Sequence, residues 1–435
     1  MQVDLIVNNA AQLLTCASDG RPKRGAAMQN VGLIENGALA IARGQIVGTG
    51  TSAEINQNFQ AQKVIDASGR VVMPGFVDCH THVVFAGDRL NEFELKIKGA
   101  DYLEILANGG GIISTVKKTR DASPAEICEQ SNKRLDEMLK NGTTTAEVKT
   151  GYGLDSETEF KMLDAIAGLD QSHEIDLIPT FLAAHAIPPE FKGAEDKYVE
   201  LICNEMLPRA ADWYKESHFA RKQFESLNSS PFALNLFADV FCEKNAFDLA
   251  QSRKILETAK NLGFKLKAHV DEFTNLGGAQ MAIELGAISI DHLDATSNRE
   301  IAQLAQSETI AVVTPAVNFN FGSARFADAR KLIDANCAVA VSTDYNPGSA
   351  PCPSLPMALA IACRYQKILP AEAINAATIN AAFAVDLGDQ IGSLEIGKQA
   401  DVLILKTDDY RQLVYEFGAN LVETVIKKGR IVVGN

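Results

Sequence analysis

Positive charge is the scarcest resource in this chain: 41 lysines and arginines face 55 aspartates and glutamates, for a formal net charge of −14. Nucleic acids and anionic membranes both demand clustered cations, so neither is expected as a partner. An acidic small substrate stays open, because it needs only one local cation. Long apolar runs are missing as well, and no stretch approaches the roughly 20 residues that span a bilayer. The opening Met1-Gln2-Val3-Asp4-Leu5 carries an early acid and no basic segment, which does not fit a secretory signal and points to the cytoplasm. The eight cysteines form no C-x-x-C pair, and most sit in apolar runs such as those around Cys203 and Cys337. Buried reduced thiols are expected, not a disulfide framework or a zinc-cysteine site. Tryptophan occurs once, at Trp213, within the most polar interval, Arg209 to Pro231, which reads as a surface helix followed by a loop.

What is present describes a globular protein, with 46% hydrophobic and 22% charged residues. At 435 residues it exceeds the usual single core, so a large domain with a smaller lobe is expected. Residues 1–70 read as short strands. Val31 to Ile34 and Ala38 to Ala42 flank Asn36-Gly37, a two-residue hairpin signal because both residues tolerate positive φ. From Val71 onward apolar strands alternate with amphipathic helices. The strand candidates are the run ending at His82, then Thr143 to Lys149, Ile175 to Ala184, Leu234 to Phe241, Phe264 to Val270, Ala287 to His292, Thr309 to Ala316 and Ala338 to Asp344. Helix starts are marked by capping boxes at Ser123-Pro124-Ala125-Glu126 and Ser156-Glu157-Thr158-Glu159. Continuous apolar strands alternating with helices predict a parallel sheet. The leading fold is therefore an α/β, (β/α)₈ TIM barrel over 71–389, with its chemistry at the carboxyl ends of the strands. Near residue 390 strands return, in Gly392 to Gly397, Ala400 to Leu405 and Val422 to Val433. These are expected to join 1–70 in one small β-lobe, since neither segment alone buries enough apolar area.

The run Val71-Val72-Met73-Pro74-Gly75-Phe76-Val77-Asp78-Cys79-His80-Thr81-His82 ends in two histidines one residue apart. In extended backbone such residues share a face, so both imidazoles can converge on one metal ion. His185, His269 and His292 each fall at or just beyond the end of a later strand, and Asp344 ends the eighth. Any one of them could be a satisfied core residue, but the set points to a metal centre. His173 and His218 lie in polar surroundings and read as solvated. Gly109-Gly110-Gly111 is not followed by G-K-[ST], so it reads as a loop near the barrel mouth, not a phosphate cradle.

H-x-H on the first strand, single histidines on later ones and an aspartate ending the eighth resemble the metal-dependent amidohydrolase superfamily. That resemblance implies a distorted barrel with a small β-sandwich lobe built from both chain ends, here 1–70 plus 390–435. It also implies His80, His82, His269 and Asp344 as ligands of a single divalent or trivalent ion, zinc or iron. Binuclear members use a carboxylated lysine on an early strand, for which Lys149 is the one candidate; the neighbouring motifs favour a mononuclear branch. Those motifs are Asp88-Arg89 with Glu92 to Leu95, Gly99 to Glu104, Asn108 to Thr115, Glu147 to Leu154, Ala268 to Phe273 and Ser342 to Ser349. Together they resemble the imidazolonepropionase family of histidine degradation, over nearly the whole chain. Only Arg209 to Pro231 departs, being longer than bacterial members lead one to expect.

The family resemblance implies hydrolysis of the ring C–N bond of 4-imidazolone-5-propanoate to N-formimino-L-glutamate. Its propionate would be recognised by Arg89, Tyr102, Tyr152 and Ser349, an arginine fork being suited to a carboxylate. His185 and Glu272 would contact the ring, His292 would hydrogen-bond the carbonyl oxygen as it becomes an oxyanion, and Asn346 and Gly348 would complete the pocket. Asp344, touching both metal and water, would take the proton and pass it to the leaving nitrogen. Two rival readings are another cyclic amidase or heterocycle deaminase on the same fold, and a non-enzymatic metal-binding scaffold. A homodimer is the default expectation for assembly, because symmetric dimers are common.

Overall fold

The computed structural model describes residues 1–99, 110–220 and 234–434. Eight strands make the barrel and eight make the lobe, and the division runs through the Val71 to His82 stretch itself. Chain order begins with β1 (Gln2–Leu14), β2 (Leu33–Ala42), β3 (Gln45–Thr51), β4 (Gln60–Asp66) and β5 (Val71–Pro74). It ends with β14 (Val402–Leu405), β15 (Val422–Lys427) and β16 (Arg430–Val433). These eight form one mixed sheet in the order β16-β15-β14-β5-β1-β2-β3, with β4 also on β1. Both chain ends are thus needed, since β5 pairs with β1 on one side and with β14 on the other.

Barrel strands follow as β6 (Phe76–Asp78), β7 (Thr143–Lys149), β8 (Asp176–Ala184), β9 (Phe237–Cys242), β10 (Lys265–Val270), β11 (Ser289–His292), β12 (Ile310–Val313) and β13 (Val339–Val341). All neighbours are parallel, in the order β6 to β13. The barrel closes without a full ladder. Asp78 accepts from Thr343 N at 3.1 Å, Thr343 Oγ1 at 2.6 Å and Ser342 Oγ. Just beyond, Asp344 N donates to His80 O at 3.1 Å and His82 N to Tyr345 O at 2.9 Å. A buried carboxylate therefore laces the first strand to the last, which is the distortion of the barrel.

Period-two alternation sorts each barrel strand into two faces. Ala146 and Val148, Ala238 and Val240, and Ala268 and Val270 belong to the large apolar core. Their alternates Glu147, Lys149, Asp239, Lys267 and His269 are buried on the other face. The core continues into the lobe through Leu14, Met73, Leu403 and Val425. Among the described residues no helix is long and apolar enough to cross a membrane.

Several local expectations change. The Val71 to His82 run is not one strand: it pairs in the lobe to Pro74, breaks at Gly75 and re-enters the barrel as β6. A Cβ on Gly75 would meet Thr144 Oγ1 at 2.3 Å, so only glycine permits that crossing. Asn36-Gly37 makes no hairpin either, and β2 runs straight through it. Asn36 (φ 48°) and Asn9 (φ 59°) lie where the β1–β2 register slips by one residue, the mark of a bulge. Ser52 Oγ donates to Asn36 O at 2.9 Å and fixes that bulge, while the turn falls at Arg43-Gly44. Gly392 to Gly397 forms no strand. Left-handed glycines stand at both its ends, and Leu394 N makes a single bond to Thr15 O at 2.7 Å. The helix Pro124–Lys140 has the expected capping box at Ser123. For Ser156–Ser172 the cap is Asp155, one residue earlier, and Glu159 is freed for another task. Trp213 sits on the expected surface helix, Leu207–Glu216, with Nε1 donating to Asp164 at 2.8 Å. All eight cysteines are free thiols.

Candidate active site

His80, His82, His269 and Asp344 come together at the carboxyl end of the barrel. His80 Nε2 and His82 Nε2 each lie 3.5 Å from Asp344 Oδ1, and His82 Nε2 is 3.4 Å from His269 Nε2. His80 Nε2 is fully buried without a hydrogen-bond partner. His80, His82 and His269 form one group able to share an ion and His80, His292 and Asp344 a second, and these imidazole and carboxylate donors, with the orphan His80 nitrogen in both groups, fit a Zn²⁺ or Fe²⁺ ion. Burial holds His80 and His82 well below the ordinary histidine range, so both are neutral, the ligating form. Asp344 is held in the left-handed region (φ 50°) and His292 likewise (φ 82°). Such strained backbone persists only where surrounding structure enforces it.

Behind these four residues lies a buried ionic layer. Asp291 Oδ2 meets His80 Nδ1 at 2.7 Å, and Asp239 Oδ2 meets His269 Nδ1 at 3.0 Å. Glu147 Oε2 accepts from Thr81 N, between the paired histidines, at 3.2 Å. One cation faces all three acids: Lys149 Nζ stands 2.7 Å from Glu147, 2.8 Å from Asp239 and 3.7 Å from Asp291. Burial works against charge on Lys149, but the carboxylates outweigh it and raise its pKa, so the amine stays protonated. Carboxylation would set a new anion against these acids, and Lys149 therefore serves as their counter-ion. Carboxylates on the far nitrogens of ligand histidines fix tautomer and ring orientation.

The remaining pocket residues are placed as follows. His292 ends β11; its Nδ1 faces Thr314 Oγ1 at 3.1 Å, while its buried Nε2 has no hydrogen-bond partner. Glu272 Oε2 lies 4.0 Å from that Nε2, and burial, then Asp344 and Asp294, push the Glu272 carboxyl well up. His185 stacks on His82 with ring centroids 4.9 Å apart and shares its Nδ1 with Gly151 O at 3.0 Å. Burial, followed by His269, lowers His185 to about 3. Tyr152 is buried, 5.8 Å from the His82 ring and 5.4 Å from His185. Arg89 donates through Nε to Thr115 Oγ1 at 2.8 Å. Asn346 Nδ2 donates to Asp344 Oδ1 at 3.1 Å and to Ser349 Oγ at 2.7 Å. Its Oδ1 accepts from Gly348 N at 2.9 Å, so Asn346 braces the loop carrying Asp344. Tyr102 lies outside the described residues.

His173 and His218 are not solvated. His173 Nδ1 accepts from Ile175 N at 3.0 Å, closing the Ser156–Ser172 helix, and His218 Nε2 pairs with Asp170 at 2.7 Å. Neither joins the site. Sequence reasoning missed the supporting acids. Glu159 accepts from Gly151, Gly153 and Leu154 N–H at 2.8–2.9 Å, shaping the loop that presents Tyr152. Glu243 accepts from Phe273 N at 2.9 Å and Thr274 N at 3.0 Å, anchoring the loop of Glu272. The available signal was a charge inside an otherwise apolar strand, at Asp78, Glu147, Asp239 and Asp291.

The model of the amidohydrolase family matches residues 71–432. An imidazolonepropionase of Chloroflexus aggregans is 52% identical over 432 residues, 99% of each chain. That of Herpetosiphon aurantiacus is 49% identical, covering 99% of this chain and 97% of the relative. Among solved structures, a zinc-bound adenosine deaminase of Xanthomonas campestris superposes with TM-score 0.70 at 20% identity, over 100% of this chain and 93% of that one. An E. coli guanine deaminase superposes with TM-score 0.69 at 16% identity, over 99% of each chain. At these identities the structural likeness speaks for the fold alone.

Proposed function

The chain belongs to the amidohydrolase family, and within it to the imidazolonepropionases, and from this premise we propose how its residues open the ring of 4-imidazolone-5-propanoate. It is a hydrolase acting on the C–N bond of a cyclic amide. The reading of its site rests on one observation above others, the clustering of His80, His82 and His269 and of His80, His292 and Asp344 at metal-sharing distances, with Asp344 Oδ1 3.5 Å from both His80 and His82. These four residues would hold one zinc or iron ion. Such an ion supplies Lewis acidity and acidifies water toward a pKa of about 7.

The residues of the chain divide the remaining work. Arg89 grips the propionate through its Nη groups, since Nε is committed to Thr115. Tyr152 and Ser349, with Tyr102, complete recognition of that arm, and His185 and Glu272 flank the ring. Thr314 Oγ1 lies 3.1 Å from His292 Nδ1, and the tautomer that accepts from it there carries the proton of the neutral ring on Nε2. His292 Nε2–H then donates to the carbonyl oxygen as negative charge develops there. Asp344 accepts a proton from the attacking water while the oxygen bonds to the carbonyl carbon. The same carboxyl returns that proton to the ring nitrogen as the C–N bond breaks, giving the open-chain carboxylic acid, whose remaining proton is lost to solvent.

Elemental analysis tests the ligand set. The native protein should carry one equivalent of zinc or iron and His269→Ala very little; full occupancy in that variant would remove His269 from the shell.

A further inference from the structure

Arg89 reaches the pocket from the segment preceding the helix Leu90–Ile97, and a long side chain so placed has many rotamers to lose before it can grip a carboxylate. The structure removes that freedom with Thr115 and Glu92, neither assigned to the substrate, and with the pocket residue Gly348. Thr115 is buried in the first turns of the helix Ile112–Asp121, and its Oγ1 accepts from Arg89 Nε at 2.8 Å. That helix is itself fixed at its start, where Gly111 N donates to Glu92 Oε2 at 2.7 Å. Glu92 Oε1 stands 4.0 Å from Arg89 Nη1. On the opposite side the guanidinium lies against Gly348. A Cβ there would fall 2.0 Å from Nη1 and 2.7 Å from Cζ, so the seat exists only because residue 348 has no side chain.

We propose that Thr115 is a positioning residue for substrate recognition, holding Arg89 in a seat that Gly348 leaves open; the inference rests on Arg89 being the anchor of the propionate. With Nε committed to Thr115, the guanidinium presents its Nη edge, and a carboxylate can meet it only from one direction. Gly348 N is tied to Asn346 Oδ1 at 2.9 Å, and Asn346 Nδ2 is tied to Asp344 O at 2.7 Å and Oδ1 at 3.1 Å. The loop that seats the arginine is therefore the loop that presents the proton-transferring carboxylate. Anion grip and reacting group are held at a set separation, which is what selects a ring bearing a carboxylate arm of one length.

Steady-state kinetics of Thr115→Val, Thr115→Ser, Arg89→Ala and Arg89→Ala/Thr115→Val test this. Valine keeps the shape and loses the hydroxyl, and a hydrogen bond to a charged group is worth roughly a factor of ten or more. Thr115→Val should raise KM about tenfold with kcat nearly unchanged, Thr115→Ser should restore the native KM, and valine should add nothing once Arg89 is gone. A native KM in Thr115→Val beside a raised KM in Arg89→Ala would overturn the role of Thr115 and leave Arg89 as the anchor. An unchanged KM in Arg89→Ala would overturn both. Should Thr115→Val fail to fold, Gly348→Ala decides the matter. The φ of Gly348 lies outside the left-handed region, so alanine there strains only the seat; KM should rise, and a native value would refute the proposal.

Discussion

Replacing Lys149 with methionine keeps the volume of the side chain and removes the one cation shared by Glu147, Asp239 and Asp291. At separations of 2.7, 2.8 and 3.7 Å, and an effective dielectric near 20, the gross attraction is on the order of 16 kcal/mol. Desolvation offsets most of it, because each of these ions is wholly buried and loses several kcal/mol of hydration. The net cost of leaving the acids without their cation is about 3–5 kcal/mol, the range for breaking a buried ion pair. Thermal unfolding of chelated protein, followed by circular dichroism, should show the midpoint falling by roughly 3–5 °C. Adding Glu147→Gln should recover part of the loss, since one stranded carboxylate is then neutral. A Lys149→Met midpoint within about 2 °C of the native one would refute the counter-ion role, as would strict additivity in the double variant.

Three further outcomes follow from the same geometry. Asp291→Asn should weaken metal binding about 10- to 100-fold in chelator competition, because His80 Nδ1 loses the carboxylate that orients its ring. His292→Ala should keep its metal and lose about 10²- to 10³-fold in kcat, as expected for removing one oxyanion donor. Burial raises Asp294 to about 7, above its unfolded value, so the folded state binds the proton more tightly and stability is lost as pH rises from about 4 to 7. Asp294→Asn, which cannot ionise, should therefore gain in melting temperature relative to the native protein between pH 5 and pH 8; a constant difference across that range would contradict the assignment.

The barrel strands were legible because a strand covered on both faces writes a continuous apolar run, and Thr143 to Lys149 was bounded to the residue. The cluster of His80, His82, His269 and Asp344 was legible because histidines at strand ends have few structural reasons to recur. Local turn chemistry misled where tertiary contacts overrode it: Asn36-Gly37 is a hairpin signal in isolation, but Ser52 and the slipped register of β1 make it a bulge. Gly75 could not be read as the crossing between lobe and barrel, since its necessity lies in Thr144, far along the chain. The ionic layer was hidden for the same reason. Glu147, Asp239 and Asp291 look like isolated blemishes in apolar strands until the barrel brings them round one lysine.

The central claim is tested most directly by following the ultraviolet absorbance of 4-imidazolone-5-propanoate on metal-analysed protein, before chelation, after it, and after restoring the metal. Turnover should vanish with the metal and return with it. Protein carrying one equivalent of metal that leaves this substrate untouched would contradict the assignment of the pocket to a ring with a propionate arm.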